Sequence, residues 1–142
     1  MTRAEVSVDG QSIGKIERGL VILLGVGADD DEAAVARLAR QVVELRIFAD
    51  EAGRTNRSLV DVGGDVLLVS QFTLFADTRR GRRPAFTAAA APDLAERLYE
   101  AFGAAIRELG PRVATGRFGA EMAVELVNDG PFTIWLDTAE RA

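Results

Sequence analysis

Asp65-Val66-Leu67-Leu68-Val69-Ser70-Gln71-Phe72-Thr73-Leu74-Phe75 is the stretch on which the fold turns. Val66 to Val69 form an apolar run that reads as a strand buried on both faces, and the β pattern extends to Phe75. Ser70 and Gln71 interrupt it with polar groups. Burying them unpaired would cost about 1–3 kcal/mol each, so they either bond neighbouring backbone or meet a ligand.

Outward from this strand the periodicity changes several times. Upstream, Gly63-Gly64 and the charged stretch 50–57, with Gly53 and Asn56, read as turns. Leu20 to Val26 is a second continuous apolar run, again expected to be buried on both faces. Between the two, Asp29-Asp30-Asp31 supplies cap and first-turn acids, and Val35, Leu38, Val42 and Leu45 recur at helical spacing, which predicts a helix over 31–46. At the N-terminus, Glu5 to Val8 and Gln11 to Ile16 alternate around Asp9-Gly10, a hairpin signal.

Downstream, Pro92 opens a helix whose apolar face is Leu94, Leu98, Phe102, Ile106 and Leu109, and Gly110-Pro111 stops it. Met122, Val124 and Leu126 alternate with Glu121, Ala123 and Glu125, which predicts a strand with one buried face. Asp129-Gly130-Pro131 then breaks the chain before an expected last strand, Phe132 to Asp137. The expected fold is α/β (α+β): one domain over residues 1–142, two helices on curved, mostly antiparallel sheets.

Composition narrows the chemistry. The chain of 142 residues contains neither cysteine nor histidine, which excludes thiolate nucleophiles, histidine triads and the usual zinc sites. Catalysis would have to use hydroxyls, carboxylates, amides, backbone groups or the substrate itself, with no cofactor required. No apolar run is long enough to span a membrane, and Met1 to Glu5 is not a leader. A cytoplasmic protein is expected.

A net charge of −5 disfavours a general polyanion binder. Arg79, Arg80, Arg82 and Arg83 are a local exception. They read either as a solvated loop or as a patch for one defined anionic ligand.

Two further stretches stand at strand ends. Asn128-Asp129-Gly130-Pro131-Phe132-Thr133 is either an ordinary turn or a close approach of backbone to a ligand, where Gly130 has no Cβ to obstruct it and the Gly-Pro bond is a candidate for cis. Gly116-Arg117-Phe118-Gly119 places an aromatic beside a cation, to stack on a nucleobase or to plug the core.

Ser70-Gln71-Phe72-Thr73 with a downstream Asn128-Asp129-Gly130-Pro131 resembles the D-aminoacyl-tRNA deacylase family. The likeness extends through Val6 to Gly10, Gly19 to Gly25, Leu45 to Phe48, Gly81 to Pro84 and Gly116 to Met122. It implies a barrel-like curved-sheet fold and a homodimer with its active site at the subunit interface. There Ser70, Gln71, Phe72 and Thr73 of one chain would face a cis Gly130-Pro131 of the other, with Asn128 beside it.

The implied reaction is hydrolysis of D-aminoacyl-tRNA, and of glycyl-tRNA mischarged on tRNA-Ala. L-aminoacyl groups would be refused because their side chains meet the Gly130-Pro131 carbonyls. Backbone N–H groups near Phe72 and Thr73 would hold the oxyanion, and the terminal 2′-hydroxyl would help to activate water. Phe118 and Met122, with Phe86 as a further wall, would flank the terminal adenosine, and Arg79, Arg80, Arg82 and Arg83 would meet phosphates. Family members usually begin with one more strand before the position of Met1, so a strand is expected to be missing here. The alternative is a non-catalytic dimer that binds RNA ends.

Overall fold

The computed structural model describes residues 1–140. Its central element is the strand set by the apolar run, with a neighbouring strand paired on each edge, the second sheet on one face and the two long helices on the other. In chain order the strands are β1 (Arg3–Val8), β2 (Gln11–Ile16), β3 (Gly19–Leu24), β4 (Phe48–Ala49), β5 (Thr55–Arg57), β6 (Asp65–Ser70), β7 (Val113–Thr115) and β8 (Ala123–Val127). The helices are α1 (Glu32–Glu44), α2 (Leu59–Val62) and α3 (Pro92–Glu108).

Two three-stranded sheets lie face to face. The first, in the order β2-β1-β8, is antiparallel; the second, β3-β6-β7, is parallel. Parallel neighbours require long crossovers, and the segments containing α1 and α3 supply them. Side-chain alternation along β6 then sorts the core. Leu67 and Val69 join Ala4, Val6 and Ile16 between the sheets, whereas Val66 and Leu68 join Ala39, Val43, Phe102 and Ile106 under the helices. At about 1.5–3 kcal/mol for each fully buried side chain, this strand ties both layers together.

Local chemistry explains the element ends. Asp9 and Gly10 both take positive φ (51° and 79°), the geometry of a two-residue hairpin turn. The Asp31 carboxylate accepts the Ala34 N–H at 2.9 Å and caps α1. In α2, Ser58 and Asp61 form a reciprocal capping box. Asp50 Oδ1 accepts the N–H groups of Ala52 and Arg54 and shapes the β4–β5 turn.

The mixed α/β class expected from the sequence holds, with α2 as an additional short helix. Four local expectations do not hold. The long β run ends at Ser70, and Phe72–Phe75 forms a 3-10 turn. Phe132 to Asp137 forms no strand, because no strand among the described residues pairs with it. β3 is an edge strand rather than one buried on both faces, which leaves Leu23 46% exposed. β8 lies at the edge of its sheet, so its expected buried face is incomplete and Leu126 is exposed.

Met1 closes one corner. Its amino group donates to the Gly19 carbonyl, and the Gly19 N–H donates to the Met1 carbonyl, each at 3.2 Å. Thr2 N–H reaches the Val127 carbonyl at 3.1 Å, so the end of β8 sits beside the beginning of β3. Among the described residues no helix is long and apolar enough to cross a membrane.

Candidate active site at the ends of the parallel sheet

Because β3, β6 and β7 run in one direction, the loops after Leu24, Ser70 and Thr115 emerge together. The carboxyl ends of parallel strands are where such sheets bind ligands. Backbone hydrogen bonds fasten these loops to one another. Gln71 N–H donates to the Leu24 carbonyl at 2.8 Å, Gly116 N–H to Leu68 at 3.0 Å, and Ala90 N–H to Val26 at 2.9 Å.

The Gln71 side-chain amide donates to the exposed Thr73 hydroxyl. Phe72 is 56% exposed and sets its ring edge against Phe86, with centroids 5.1 Å apart. Ser70 is half-buried, and its hydroxyl has no hydrogen-bond partner among the described residues. The N–H groups of Phe72 and Thr73 likewise have no acceptor there. Two free donors beside a hydroxyl at a strand end form a set able to hold developing negative charge.

The arginine loop is built on Asp77. Asp77 and Ala85 exchange backbone hydrogen bonds of 2.7 and 2.9 Å, which draws the two ends of the loop together. The Asp77 carboxylate accepts both Nε and Nη2 of Arg79, at 2.9 and 2.8 Å, and also the Arg79 N–H. These bonds hold the Asp77 carboxyl at a pKa of about 2 and raise that of Arg79. Arg80, Arg82 and Arg83 are exposed and have no ion pair among the described residues. Three guanidinium groups are therefore uncommitted, and the fourth serves as a clasp.

Phe118 and Met122 belong to the β7–β8 loop at the same end of the sheet. Phe118 is half-buried with its ring centroid 6.0 Å from that of Tyr99, so at least one face serves the core. Met122 lies over Gly116, where an added Cβ would meet its sulfur at 2.6 Å. Burial raises the pKa of Tyr99, whose hydroxyl donates to the Leu68 carbonyl at 3.1 Å.

Asn128, Gly130 and Pro131 lie elsewhere. They follow Val127, which neighbours the start of β3, whereas Gln71 and Thr73 adjoin its end. Six residues of strand at about 3.3 Å each separate the two. Within one chain the two motifs therefore do not meet.

The Gly130–Pro131 bond is trans, since no described peptide bond is cis; this corrects the cis expectation. Both residues are exposed, and the trans form is the one an X-Pro bond prefers intrinsically, by about 0.5–1 kcal/mol. Asn128 brackets the turn instead, donating from Nδ2 to the Thr133 hydroxyl at 3.0 Å and accepting the Phe132 N–H at 3.4 Å. Gly130 has φ 139°, a conformation open mainly to glycine.

An apolar cavity of about 660 Å³ joins the two ends, running from Met1 and Asn128 past Leu23, Leu126 and Trp135 to Gln71 and Phe75. The sequence reading missed Asp77, Phe75, Gly25 and Gly27. A Gly-x-Gly directly after an apolar run, with a carboxylate two residues before an arginine, is the signal that would have found them.

Comparison with known proteins gives the family. The family model described as D-Tyr-tRNA(Tyr) deacylase matches residues 1–137. A D-aminoacyl-tRNA deacylase of Roseiflexus castenholzii is 59% identical over 139 residues, covering 98% of this chain and 88% of the relative. Another from Paracoccus denitrificans is 56% identical over 142 residues, covering 100% and 95%. Among solved structures, a c-Myc DNA Unwinding Element Binding Protein superposes with a TM-score of 0.91 at 38% identity, covering 96% of this chain and 93% of that one. A probable eukaryotic D-amino acid tRNA deacylase shares the fold at a TM-score of 0.76 and 18% identity, covering 88% of each chain.

The class that fold, loop cluster and likeness define together is that of the aminoacyl-tRNA deacylases, which are hydrolases. Within that class, the chain belongs to the D-Tyr-tRNA(Tyr) deacylase family.

Proposed function

We propose that this protein hydrolyses the ester of D-aminoacyl-tRNA, and of glycyl-tRNA mischarged on tRNA-Ala, while sparing L-aminoacyl-tRNA. The observation that carries the reading is the turn 70–73, with Phe72 and Thr73 exposed, its free backbone donors and the Gln71–Thr73 bond, at the carboxyl end of a parallel sheet. An aminoacyl ester is already activated. Placing a water and holding the oxyanion are then the tasks left to the protein, and one oxyanion donor is worth about 2.7–4 kcal/mol.

The Phe72 and Thr73 N–H groups take the oxyanion, and the terminal 2′-hydroxyl helps to activate the water. Phe118, Met122 and Phe86 flank the terminal adenosine. Arg80, Arg82 and Arg83 meet the phosphates of the acceptor end, with Arg79 holding their loop.

The chiral filter comes from a second copy. Gly130 and Pro131 are too far from Thr73 within one chain, and their exposure leaves them available to a partner. Leu126, Val127, Phe132, Ile134 and Trp135 are 39–58% exposed around the same segment, an apolar patch of the kind that marks an interface. In the dimer the partner's loop faces the turn 70–73, and its carbonyls exclude an L side chain by clash.

Deacylation of D-tyrosyl-, L-tyrosyl- and glycyl-tRNA by the protein and by Pro131→Ala tests this directly. Loss of the D and glycyl esters with the L ester spared is expected, with weakened discrimination in the variant. Tight tRNA binding without turnover would make the protein an RNA-end binder instead.

A further inference from the structure

Two glycines follow β3, and neither owes its place to backbone conformation, since Gly25 and Gly27 are not among the positive-φ residues. Space is the reason. A Cβ on Gly25 would stand 3.0 and 3.2 Å from Cε2 and Cδ2 of Phe75, and 3.3 Å from the Gln71 carbonyl oxygen. A Cβ on Gly27 would stand 3.0 and 3.1 Å from Cζ and Cε1 of the same ring. The ring of Phe75 thus lies directly against two backbone positions of one loop.

Phe75 closes the 3-10 turn that carries Thr73. The other end of that turn is fixed, because the Gln71 N–H is bonded to the Leu24 carbonyl. With Gln71 pinned on one side and Asp77 tied to Ala85 on the other, a displacement of the ring is taken up within residues 72–76, where Thr73 and the free N–H groups lie.

We infer that Phe75 is a positioning residue for ester hydrolysis, and that Gly25 and Gly27 form the seat that sets the height of its ring and hence of the Phe72–Thr73 donors. The inference rests on the deacylase reading above. Catalysis by placement is steep in distance, since a misplacement of about 1 Å can cost about 100-fold. A methyl group at 3.0 Å demands a shift of a few tenths of an ångström.

The test is a size-complementation series on the full-length protein: Gly25→Ala, Gly27→Ala, Phe75→Leu, and Gly27→Ala combined with Phe75→Leu. Each is followed by D-tyrosyl-tRNA deacylation, thermal melting and the Thr73 amide resonance. Each glycine variant is expected to lose about tenfold in kcat, with KM for the tRNA within about twofold, as befits a loss of placement rather than of uniform binding. Its Thr73 resonance should move. The double variant, with a smaller side chain on the raised seat, should exceed Gly27→Ala in kcat and return the resonance toward its original position.

Folded glycine variants with unchanged kcat, or a double variant no better than the worse single one, would overturn the inference while leaving the deacylase reading intact. A wild-type protein that cleaves neither the D nor the glycyl ester would instead remove the reading itself.

Discussion

The side-chain amide of Gln71 donates a hydrogen bond to the hydroxyl oxygen of Thr73. An amide is not a base, and this one occupies a lone pair of the hydroxyl rather than accepting its proton. An activated nucleophile needs the opposite arrangement. Thr73→Ala is therefore expected to lose less than about 100-fold in kcat, at the lower end of what a single oxyanion donor contributes, because the backbone N–H groups remain. Rapid-quench mass spectrometry should find no acylated enzyme. An ester trapped on Thr73 would refute the placement mechanism.

The arginines divide by partner. Arg79 is held in a fork by Asp77, whereas Arg80, Arg82 and Arg83 have no ion pair among the described residues. If the latter meet phosphates, neutralising any one of them should lower the slope of log K against log salt by about 0.7–0.9. Arg79→Gln should leave that slope nearly unchanged and instead loosen residues 77–85. Binding titrations with tRNA across a salt series, alongside hydrogen exchange of the loop, separate the two behaviours.

The same clasp has a pH signature. Its bonds to Arg79 lower the carboxyl of Asp77 from an ordinary 3.8 to about 2. A depressed carboxyl contributes to order when ionised, so the effect is complete above about pH 4 and is lost as the pH falls through about 2. The Asp77–Arg79 clasp should thus be indifferent to pH from 5 to 9, as read from the Asp77 carboxyl resonance by NMR. A midpoint near 4 would show that the fork does not persist in solution.

Ile134 and Trp135 are 47% and 58% exposed on a segment that pairs with no strand among the described residues. A charge placed there should oppose self-association. If, as proposed, the partner's Gly130-Pro131 completes the site, Ile134→Glu is expected to run as a monomer on size exclusion with light scattering, to keep its circular dichroism, and to lose at least 100-fold in deacylation. A monomeric variant of full activity would confine the site to one chain.

Local rules carried the fold furthest where the responsible residues are neighbours. Asp9-Gly10 and Asp31 specify the hairpin and the first cap by interactions within four residues, and both are seen as read. The 3-10 turn was hidden for the opposite reason. Phe72, Thr73 and Phe75 are good strand formers, and the Phe75 ring of the turn lies against Gly25 and Gly27, nearly fifty residues away, a contact that local rules do not report. Parallel pairing of β3 with β6 was invisible to periodicity, which reports burial and not direction. In the candidate site Phe72 meets Phe86, which directly follows the arginine loop closed by Asp77 and Ala85, whereas the proposed part of Gly130 would depend on contacts between molecules, which composition and spacing do not encode.

One pairing bears on how this protein leaves the ribosome. β1 finds its outer neighbour in β8, with Ser7 opposite Ala123, more than a hundred residues along. At a synthesis rate of about 5–20 residues per second, the nascent hairpin waits roughly 6–22 s for that strand. A lone two-stranded hairpin is marginal in water, and the edge of β1 stays open to other chains for the whole interval. Closure of the first sheet is thus a late translational event, and a chain stalled between β7 and β8 would hold every segment of the parallel layer with its neighbour unsealed.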